Sequence, residues 1–203
     1  MQISAERALH VDRPRREVFW NAPNLITLGR IATGPLLLLL TLFPGRRASL
    51  IGGIAFLLIS LTDLLDGWLA RRGGMVTRMG KLLDPLADKL LVLTALILLV
   101  ALDRIPLWGV PLVVLVLGRE IAVTGLRAMA SLDGVVLGAS SLGKWKTGFQ
   151  SASLTALIIH YEWLGVPVHA LGLALFVAAT ALTVWSGWDY FAAYLSDEGN
   201  PQA

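Results

Sequence analysis

The chain has 203 residues, of which 56% are hydrophobic and 15% are charged, and its mean hydropathy is +0.70. Soluble domains carry about 25% charged residues, so the composition excludes an ordinary soluble domain and indicates an integral membrane protein. The chain contains no cysteine, which excludes disulfide bonds and thiolate metal sites. The net charge of +3 comes from basic residues that cluster between apolar segments, an arrangement that argues against nucleic-acid binding.

The first twenty residues are polar and basic, and they contain no apolar stretch of the kind found in a signal peptide. Their arginines are followed by Val18, Phe19 and Trp20. Basic and aromatic residues just before a membrane span favour contact with an anionic membrane surface. We therefore predict a juxtamembrane segment over residues 1–20.

Six apolar segments follow, each close to the 20 or so residues that a helix needs to cross a bilayer. They are Asn24–Phe43, Ala48–Ala70, Lys81–Leu102, Leu107–Ala130, Leu142–Tyr161 and Val168–Leu195. Turn residues such as Pro44-Gly45 separate them, and no strand-like alternation is present. The sequence predicts an all-α integral membrane protein, a six-transmembrane-helix bundle over residues 21–195 with a short polar cytoplasmic tail over 196–203.

Lysine and arginine are distributed unequally between the two ends of these segments. One side receives the N-terminal arginines together with Arg71, Arg72, Arg78, Lys81, Arg127, Lys144 and Lys146, whereas the other keeps Arg46, Arg47 and Arg104. Because cytoplasmic loops are enriched in basic residues, both termini are expected in the cytoplasm. We predict a multi-pass protein of the inner (cytoplasmic) membrane.

Four aspartates form the pattern Asp63-x-x-Asp66-Gly67-x-x-Ala70-Arg71, followed after eight residues by Gly80-x-x-x-Asp84-x-x-x-Asp88. The first pair is three residues apart and the second pair four, so each pair shares one helix face. Loop charges at two helix ends would be the plain alternative, but carboxylates at membrane depth are costly and mark functional sites. Four close carboxylates require a cationic partner, and oxygen ligands suit two divalent cations, Mg²⁺ or Mn²⁺, which together can hold a phosphate.

This string resembles the signature of the CDP-alcohol phosphotransferases, membrane enzymes that transfer a phosphoryl-alcohol group from a CDP-linked donor to an alcohol. Every fixed position of that signature is present. The resemblance implies a six-helix membrane bundle, a homodimer, and a polar cavity that faces the cytoplasm. It also implies that Asp63, Asp66 and Asp84 ligate metal, and that Asp88 both ligates metal and acts as the general base on the acceptor hydroxyl.

Contacts to the CDP-linked donor are expected from two parts of the chain. In the signature region the resemblance assigns them to Asp66, Gly67, Arg71 and Thr77. Near the N-terminus, Asn24, Thr27 and Arg30 are spaced to share one helix face. That stretch is similar to the start of the bacterial phosphatidylglycerophosphate synthases within the family, where it borders the nucleotide pocket; helix capping by Asn24 is the alternative.

An anion site for the acceptor is predicted from Arg119 and Arg127, on one apolar segment, and Lys144, at the start of the next. Ordinary positive-inside charges are the alternative, with Glu120 offsetting one of the arginines. Lys146 is a less favoured candidate for this site than Lys144, because residues two apart on a helix point to opposite sides. Both stretches resemble the phosphatidylglycerophosphate synthases, which implies CDP-diacylglycerol as donor and glycerol 3-phosphate as acceptor.

Other functions remain open at this point. The same chemistry could use another acceptor, either an inositol phosphate or, in cardiolipin synthesis, phosphatidylglycerol, while serine lacks the phosphate that a basic site would bind. A cation transporter is the alternative from another class, but it predicts acidic residues spread through the bilayer, whereas these gather at one edge. The histidines (His10, His160 and His169) are scattered and are expected at the surface or interface.

Overall fold

The computed structural model describes residues 28–29, 31–32, 43, 45–73, 78–132 and 141–198. Its long helices are α1 (Arg46–Gly73), α2 (Arg78–Ala101), α3 (Val110–Leu132), α4 (Ser141–Ile159) and α5 (Val168–Glu198). Within these ranges the extended structure is limited to a single bridge between Trp163 and Val166. The predicted all-helical class is therefore confirmed for the part of the chain that the structure describes.

The five helices coincide with the second to sixth apolar segments of the sequence. α3 begins at Val110, a few residues late, because Leu107–Gly109 form a 3₁₀ turn after the extended Pro106. α5 continues to Glu198, beyond the end predicted from hydropathy. The first predicted segment lies largely outside the described residues, with helical backbone at 28–29 and 31–32, and the predicted juxtamembrane segment 1–20 lies wholly outside them.

Two stretches among the described residues are long and apolar enough to cross a membrane, judged by length and composition: Leu107–Arg127 and Val168–Ala192. The complete α5 has 31 residues. At 1.5 Å per residue it is about 46 Å long, more than the roughly 30 Å of a bilayer core. A helix of this length either tilts or continues beyond the hydrocarbon region.

The hydrophobic core draws on every one of these helices and lies near the end of the bundle where α1 begins and α2 ends. Its largest fully buried side chains include Phe56 of α1, Leu96 and Leu99 of α2, Leu157 of α4 and Phe176 of α5. Burying a side chain of this size contributes about 1.5–3 kcal/mol in an aqueous reference. A second, smaller cluster of buried side chains, Val123, Leu126 and Tyr190, joins α3 and α5 toward the opposite end of the bundle.

Small residues allow α4 to approach its neighbours closely. A Cβ atom at Gly172 of α5 would lie 3.0 Å from the Leu157 backbone nitrogen of α4. A Cβ atom at Gly53 of α1 would lie 3.2 Å from the Thr155 carbonyl oxygen, also of α4. Ser153 donates a hydrogen bond to the Gly172 carbonyl at 3.0 Å. Close backbone approach and interhelical hydrogen bonds are typical of helix packing in lipid.

A buried arginine ties together the core end of the bundle. The Arg104 side chain donates to Ser49 Oγ at 2.8 Å and to the Ile158 carbonyl, while the Arg104 carbonyl contacts His169 Nε2 at 2.8 Å. The sequence predicts Arg104 only as a charge between two spans; its burial was not expected. Burial lowers the pKa of Arg104 from its ordinary value. We call these contacts the Arg104 network.

Two histidines that the sequence presents as scattered lie together beside this network. The rings of His160 and His169 meet edge to face, with 4.6 Å between their centroids. Neither residue is fully exposed. Their partial exposure at one end of the bundle agrees with the predicted surface or interface position. Their contact with each other was not predicted, and it arises because the loop 160–167 brings the end of α4 back to the start of α5.

Large apolar side chains cover the outward faces of the helices. Ile121, Val114 and Val184 are exposed in the middle of α3 and α5, and Trp188 is 74% exposed. Soluble monomers rarely expose contiguous apolar surface on this scale. The pattern is typical of helices that face lipid.

Candidate functional site

The four aspartates of the sequence pattern fall on two consecutive helices. Asp63 and Asp66 lie toward the end of α1, and Asp84 and Asp88 lie in the first half of α2, with residues 74–77 between the helices. Helical spacing within each pair, the basis of the shared-face prediction, is thus present. The side chains of these residues lie outside the described part of the chain, so their metal-binding role stays a prediction.

Other predicted site residues also fall outside the described side chains. They are Asn24, Thr27, Arg30, Gly67, Arg71 and Thr77. Among the side chains that the structure does describe, no group of three or more histidines and carboxylates is placed to hold a metal ion. The donor contacts and the metal site accordingly stay predictions.

All three residues predicted to bind the acceptor line one cavity. Arg119 and Arg127 of α3 and Lys144 of α4 border a space of about 850 Å³ that also touches α1, α2 and α5. The three side chains come from two helices, Arg119 and Arg127 from α3 and Lys144 from α4. The structure brings the residues to one site, and their role in binding an anion stays a prediction.

Arg127 and Lys144 are the accessible cations of this cavity. Both are exposed, and neither forms an ion pair with another residue whose side chain the structure describes. Arg127 offers a planar fork that matches two phosphate oxygens, and Lys144 offers a compact charge on a flexible stem. The two residues have the chemistry of a phosphate site.

Arg119 is held in place more firmly than the other cations. Its Nη2 donates to Ser186 Oγ at 2.9 Å and its Nη1 to Glu120 Oε1 at 3.2 Å. The third nitrogen of the guanidinium, Nε, is buried without a partner among the described residues. Gly187 of α5 leaves space for this side chain, since a Cβ atom there would lie 2.9 Å from Arg119 Cγ.

Glu120 is the meeting point of cations from three helices. Its Oε2 accepts a hydrogen bond from Lys89 Nζ of α2 at 2.7 Å, and its Oε1 accepts one from Lys146 Nζ of α4. Arg119, from its own helix, supplies a third contact. The sequence suggested only that Glu120 offsets an arginine; the two lysines are additional partners.

Lys146 was ranked below Lys144 as an acceptor ligand because of its helical spacing; that ranking stays a prediction, but the spacing does not turn its side chain away from the cavity. Both Lys144 and Lys146 line it, Lys144 as an exposed side chain and Lys146 as a buried one. The Cα–Cβ bonds of residues two apart on a helix point in different directions. A lysine side chain is nevertheless long enough to bring its ammonium group back toward a buried carboxylate. The ion pair with Glu120 holds the Lys146 ammonium group on the cavity side of α4.

Lys89 is a member of the site that the sequence did not reveal. It follows Asp88 directly on α2, lines the cavity, and pairs with Glu120. Its only sequence signal is a single lysine next to the last aspartate of the signature. Its position shows that the cavity borders α2 just beyond Asp88.

A smaller space of about 30 Å³ lies behind the ion pairs. Glu120, Lys146, Ser60 and Gln150 border it, and Gln150 Nε2 is buried there without a partner among the described residues. A space of this size, bordered by several polar groups, suits one water molecule.

The chain matches a protein-family model over residues 20–185, and the description of that model is CDP-alcohol phosphatidyltransferase. The match spans most of the chain. It includes the aspartate pattern and the cationic residues of α3 and α4.

Curated relatives are similar along nearly their full length. A protein of Bacillus subtilis named CDP-diacylglycerol–glycerol-3-phosphate 3-phosphatidyltransferase is 44% identical, over 85% of this chain and 94% of its own. A protein with the same name from Rickettsia bellii is 36% identical, over 85% of this chain and 94% of its own. Another with that name, from Cereibacter sphaeroides, is 31% identical, over 88% of this chain and 99% of its own. Similarity of this extent favours an enzyme over a cation transporter.

Proposed function

Because the chain belongs to the CDP-alcohol phosphatidyltransferase family, we propose that it transfers the phosphatidyl group of CDP-diacylglycerol to sn-glycerol 3-phosphate. The products are phosphatidylglycerophosphate and CMP, and the reaction is a step of phospholipid biosynthesis. The relatives that match 84% or more of their own length carry names for this reaction. The structural observation that supports the acceptor is the cavity where Arg119, Arg127 and Lys144 meet.

The acceptor phosphate binds at Arg127 and Lys144, with Arg119 behind them. A dianionic phosphate forms charge-assisted hydrogen bonds with such groups, and these bonds are stronger than neutral ones. The cavity touches α2 at Lys89, the neighbour of Asp88 in the chain. An acceptor held by its phosphate would thus present its hydroxyl toward the aspartate-bearing part of α2, which converts a bimolecular attack into a positioned one.

Asp88 is the general base in this proposal. The acceptor hydroxyl oxygen forms a bond to the phosphorus that carries the diacylglycerol, and its proton passes to the Asp88 carboxylate. The bond between that phosphorus and the CMP oxygen breaks, and CMP leaves with the electron pair. A hydroxyl is a weak nucleophile, so a positioned carboxylate contributes an acceleration of about 10²–10⁴-fold.

Asp63, Asp66, Asp84 and Asp88 would hold two divalent cations, Mg²⁺ or Mn²⁺. The supporting observations are the all-oxygen character of the four ligands and their helical spacing on α1 and α2. When bound, the cations neutralise charge on the phosphoryl oxygens and on the leaving group. Asn24, Thr27, Arg30, Asp66, Gly67, Arg71 and Thr77 are the proposed contacts to the CDP part of the donor.

The diacylglycerol chains remain in the bilayer while the CDP head enters the cavity. Apolar side chains line part of the cavity wall, among them Leu57 and Leu61 of α1 and Val123 of α3. We further propose six membrane spans, both termini and the site on the cytoplasmic side of the inner membrane, and a homodimeric assembly. The excess of basic residues on one side supports this orientation.

A reconstituted assay tests this function. Purified protein receives labelled CDP-diacylglycerol and, in separate reactions, glycerol 3-phosphate, inositol phosphate, phosphatidylglycerol or serine, with CMP release as the readout. Glycerol 3-phosphate should be the preferred acceptor. Chelation of divalent cations should abolish CMP release, and Mg²⁺ or Mn²⁺ should restore it.

Preference for another alcohol would keep the chemistry and change the acceptor. The cationic cavity would also accept the phosphate of an inositol phosphate, so this comparison is the decisive one within the panel. Absence of metal-dependent CMP release with every alcohol would contradict the proposed activity.

A further inference from the structure

A single carboxylate connects three helices beneath the proposed acceptor site. Glu120 of α3 pairs with Lys89 of α2 at 2.7 Å and with Lys146 of α4, and it also contacts Arg119. Only 15% of the Glu120 side chain and 9% of the Lys146 side chain are exposed. These ion pairs therefore lie in an environment where solvent screening is weak.

A carboxylate beside a phosphate site needs an explanation. An unpaired negative charge at this place would repel the acceptor and weaken its binding. Both oxygens of Glu120 are engaged by cations, so its charge is balanced within the network. Its presence still makes the cavity less positive than it would be with a neutral side chain.

The contacts divide the five cations that line the cavity, among the residues that the structure describes, into two groups. Lys89, Arg119 and Lys146 are held by Glu120, whereas Arg127 and Lys144 are exposed to the cavity and form no ion pair with another described residue. Without Glu120, Lys146 and Lys89 would repel each other and Arg119, and each would move toward the open cavity or out of it. Among the described residues, Ser186 would be the one remaining hydrogen-bond partner of the Arg119 guanidinium.

We propose that Glu120 is a positioning residue for the acceptor-phosphate site. It fixes Arg119 and keeps Lys146 and Lys89 out of the space that the acceptor occupies, so that Arg127 and Lys144 meet the phosphate in one geometry. This inference rests on the proposed function. It adds to the anion site a carboxylate that positions the cations, and two lysines, Lys89 and Lys146, that support the site without binding the phosphate.

The direction in which Glu120→Gln changes the KM for glycerol 3-phosphate distinguishes a positioning role from a purely electrostatic one. If Glu120 only adds negative charge, Glu120→Gln makes the cavity more positive, and the KM for glycerol 3-phosphate falls. If Glu120 positions the cations, the same substitution releases them, and the KM rises. The loss of charged hydrogen bonds predicts a rise of about tenfold or more.

The experiment compares full-length wild-type protein with Glu120→Gln, Glu120→Asp and the matched control Glu162→Gln. Glu162 is exposed on the loop before α5, at the core end of the bundle. CMP release gives kcat and separate KM values for glycerol 3-phosphate and CDP-diacylglycerol, and inorganic phosphate serves as a competing anion. We expect Glu120→Gln to raise the acceptor KM and the inhibition constant of phosphate, while the donor KM stays within about twofold.

Glu120→Asp provides a measurement that is milder toward folding. Aspartate keeps the charge but is one methylene shorter, so it cannot reach both lysines. The positioning role predicts an acceptor KM between those of wild type and Glu120→Gln, whereas an electrostatic role predicts no change. Glu162→Gln should match wild type in every constant.

An unchanged or lower acceptor KM in Glu120→Gln overturns the inference. So does an unchanged KM in Glu120→Asp if Glu120→Gln does not yield folded protein. Both results presuppose that wild-type protein releases CMP with glycerol 3-phosphate. If wild type fails to do so, the proposed function is what fails.

Discussion

Lys144 and Lys146 are two residues apart on α4 and have the same chemistry, yet their surroundings differ. Lys144 is exposed to the cavity, whereas Lys146 is buried against Glu120. Removing one partner of such a buried pair typically costs about 3–5 kcal/mol, because the remaining charge loses its compensation. At the scale of the residue, burial and pairing therefore decide which cation is available to a ligand.

Arg127→Ala should mainly raise the KM for glycerol 3-phosphate. The substitution removes an exposed cation that supplies charged hydrogen bonds to the acceptor, and the expected rise is about tenfold or more. Arg47 is an exposed arginine in the first turn of α1. Arg47→Ala is therefore the matched control and should leave the KM for glycerol 3-phosphate unchanged. Steady-state CMP release measures both, and an unchanged value for Arg127→Ala would move the acceptor site elsewhere.

Asp88→Asn should lower kcat by at least about a hundredfold, since asparagine accepts no proton at neutral pH. Binding of CDP-diacylglycerol should remain measurable by equilibrium binding of the labelled donor. Retention of wild-type turnover by this variant would refute the assignment of Asp88 as base.

At the scale of the element, small residues set how closely the helices pack. α4 packs against both α1 and α5. A side chain at Gly53 of α1 or at Gly172 of α5 would collide with the backbone of α4 or with its Ile159 and Leu157 side chains. Ser153 adds a hydrogen bond to the α5 backbone. Because lipid provides no hydrophobic drive for helix association, such close contacts carry much of the packing energy.

Gly172→Ala should destabilise the bundle by about 1–3 kcal/mol, the usual cost of overpacking. Its Cβ atom would lie 3.0 Å from a backbone nitrogen of α4, which cannot move without shifting the helix. Gly118→Ala is the control, because a Cβ atom there meets nothing within 4 Å. Thermal unfolding in detergent micelles should show a lower midpoint for Gly172→Ala only; equal midpoints would contradict the close packing of α4 and α5.

At the scale of the whole molecule, polar networks occur at both ends of an apolar bundle. The Arg104 network joins the loop after α2 to α1, α4 and the start of α5. The cationic cavity lies toward the other end, where α3 ends and α4 begins. The fully buried hydrophobic core lies between the Arg104 network and the cavity, so the two networks have no shared contacts among the described residues.

Arg104→Ala should therefore lower stability without changing catalysis. It leaves the Ile158 carbonyl and the Ser49 hydroxyl without their donor, at a cost of about 1–3 kcal/mol for each buried group. The thermal midpoint in micelles should fall, while both KM values measured well below that midpoint stay the same. A change in the acceptor KM with unchanged stability would show that the two ends are coupled.

The hydropathy pattern predicted α1 to α5 closely, because a bilayer requires about 20 apolar residues per helix and permits few other solutions. It missed the late start of α3 at Val110, which depends on the local geometry after Pro106. Arg119, Arg127 and Lys144 were predicted from their depth and type to form one anion site, and the structure brings them to one cavity. Lys89 was not, since one lysine beside Asp88 carries no distinguishing pattern.

The sequence by itself determined the helical class, the helix positions and the family, because hydropathy period and the spacing of four aspartates are properties of the chain alone. Tertiary structure decided which charges meet. Glu120 and Lys146 are 26 residues apart, and Arg104 and Ser49 are 55 apart. Such pairings depend on how helices cross and on which side chains lose their water, and neither can be read from periodicity along one helix.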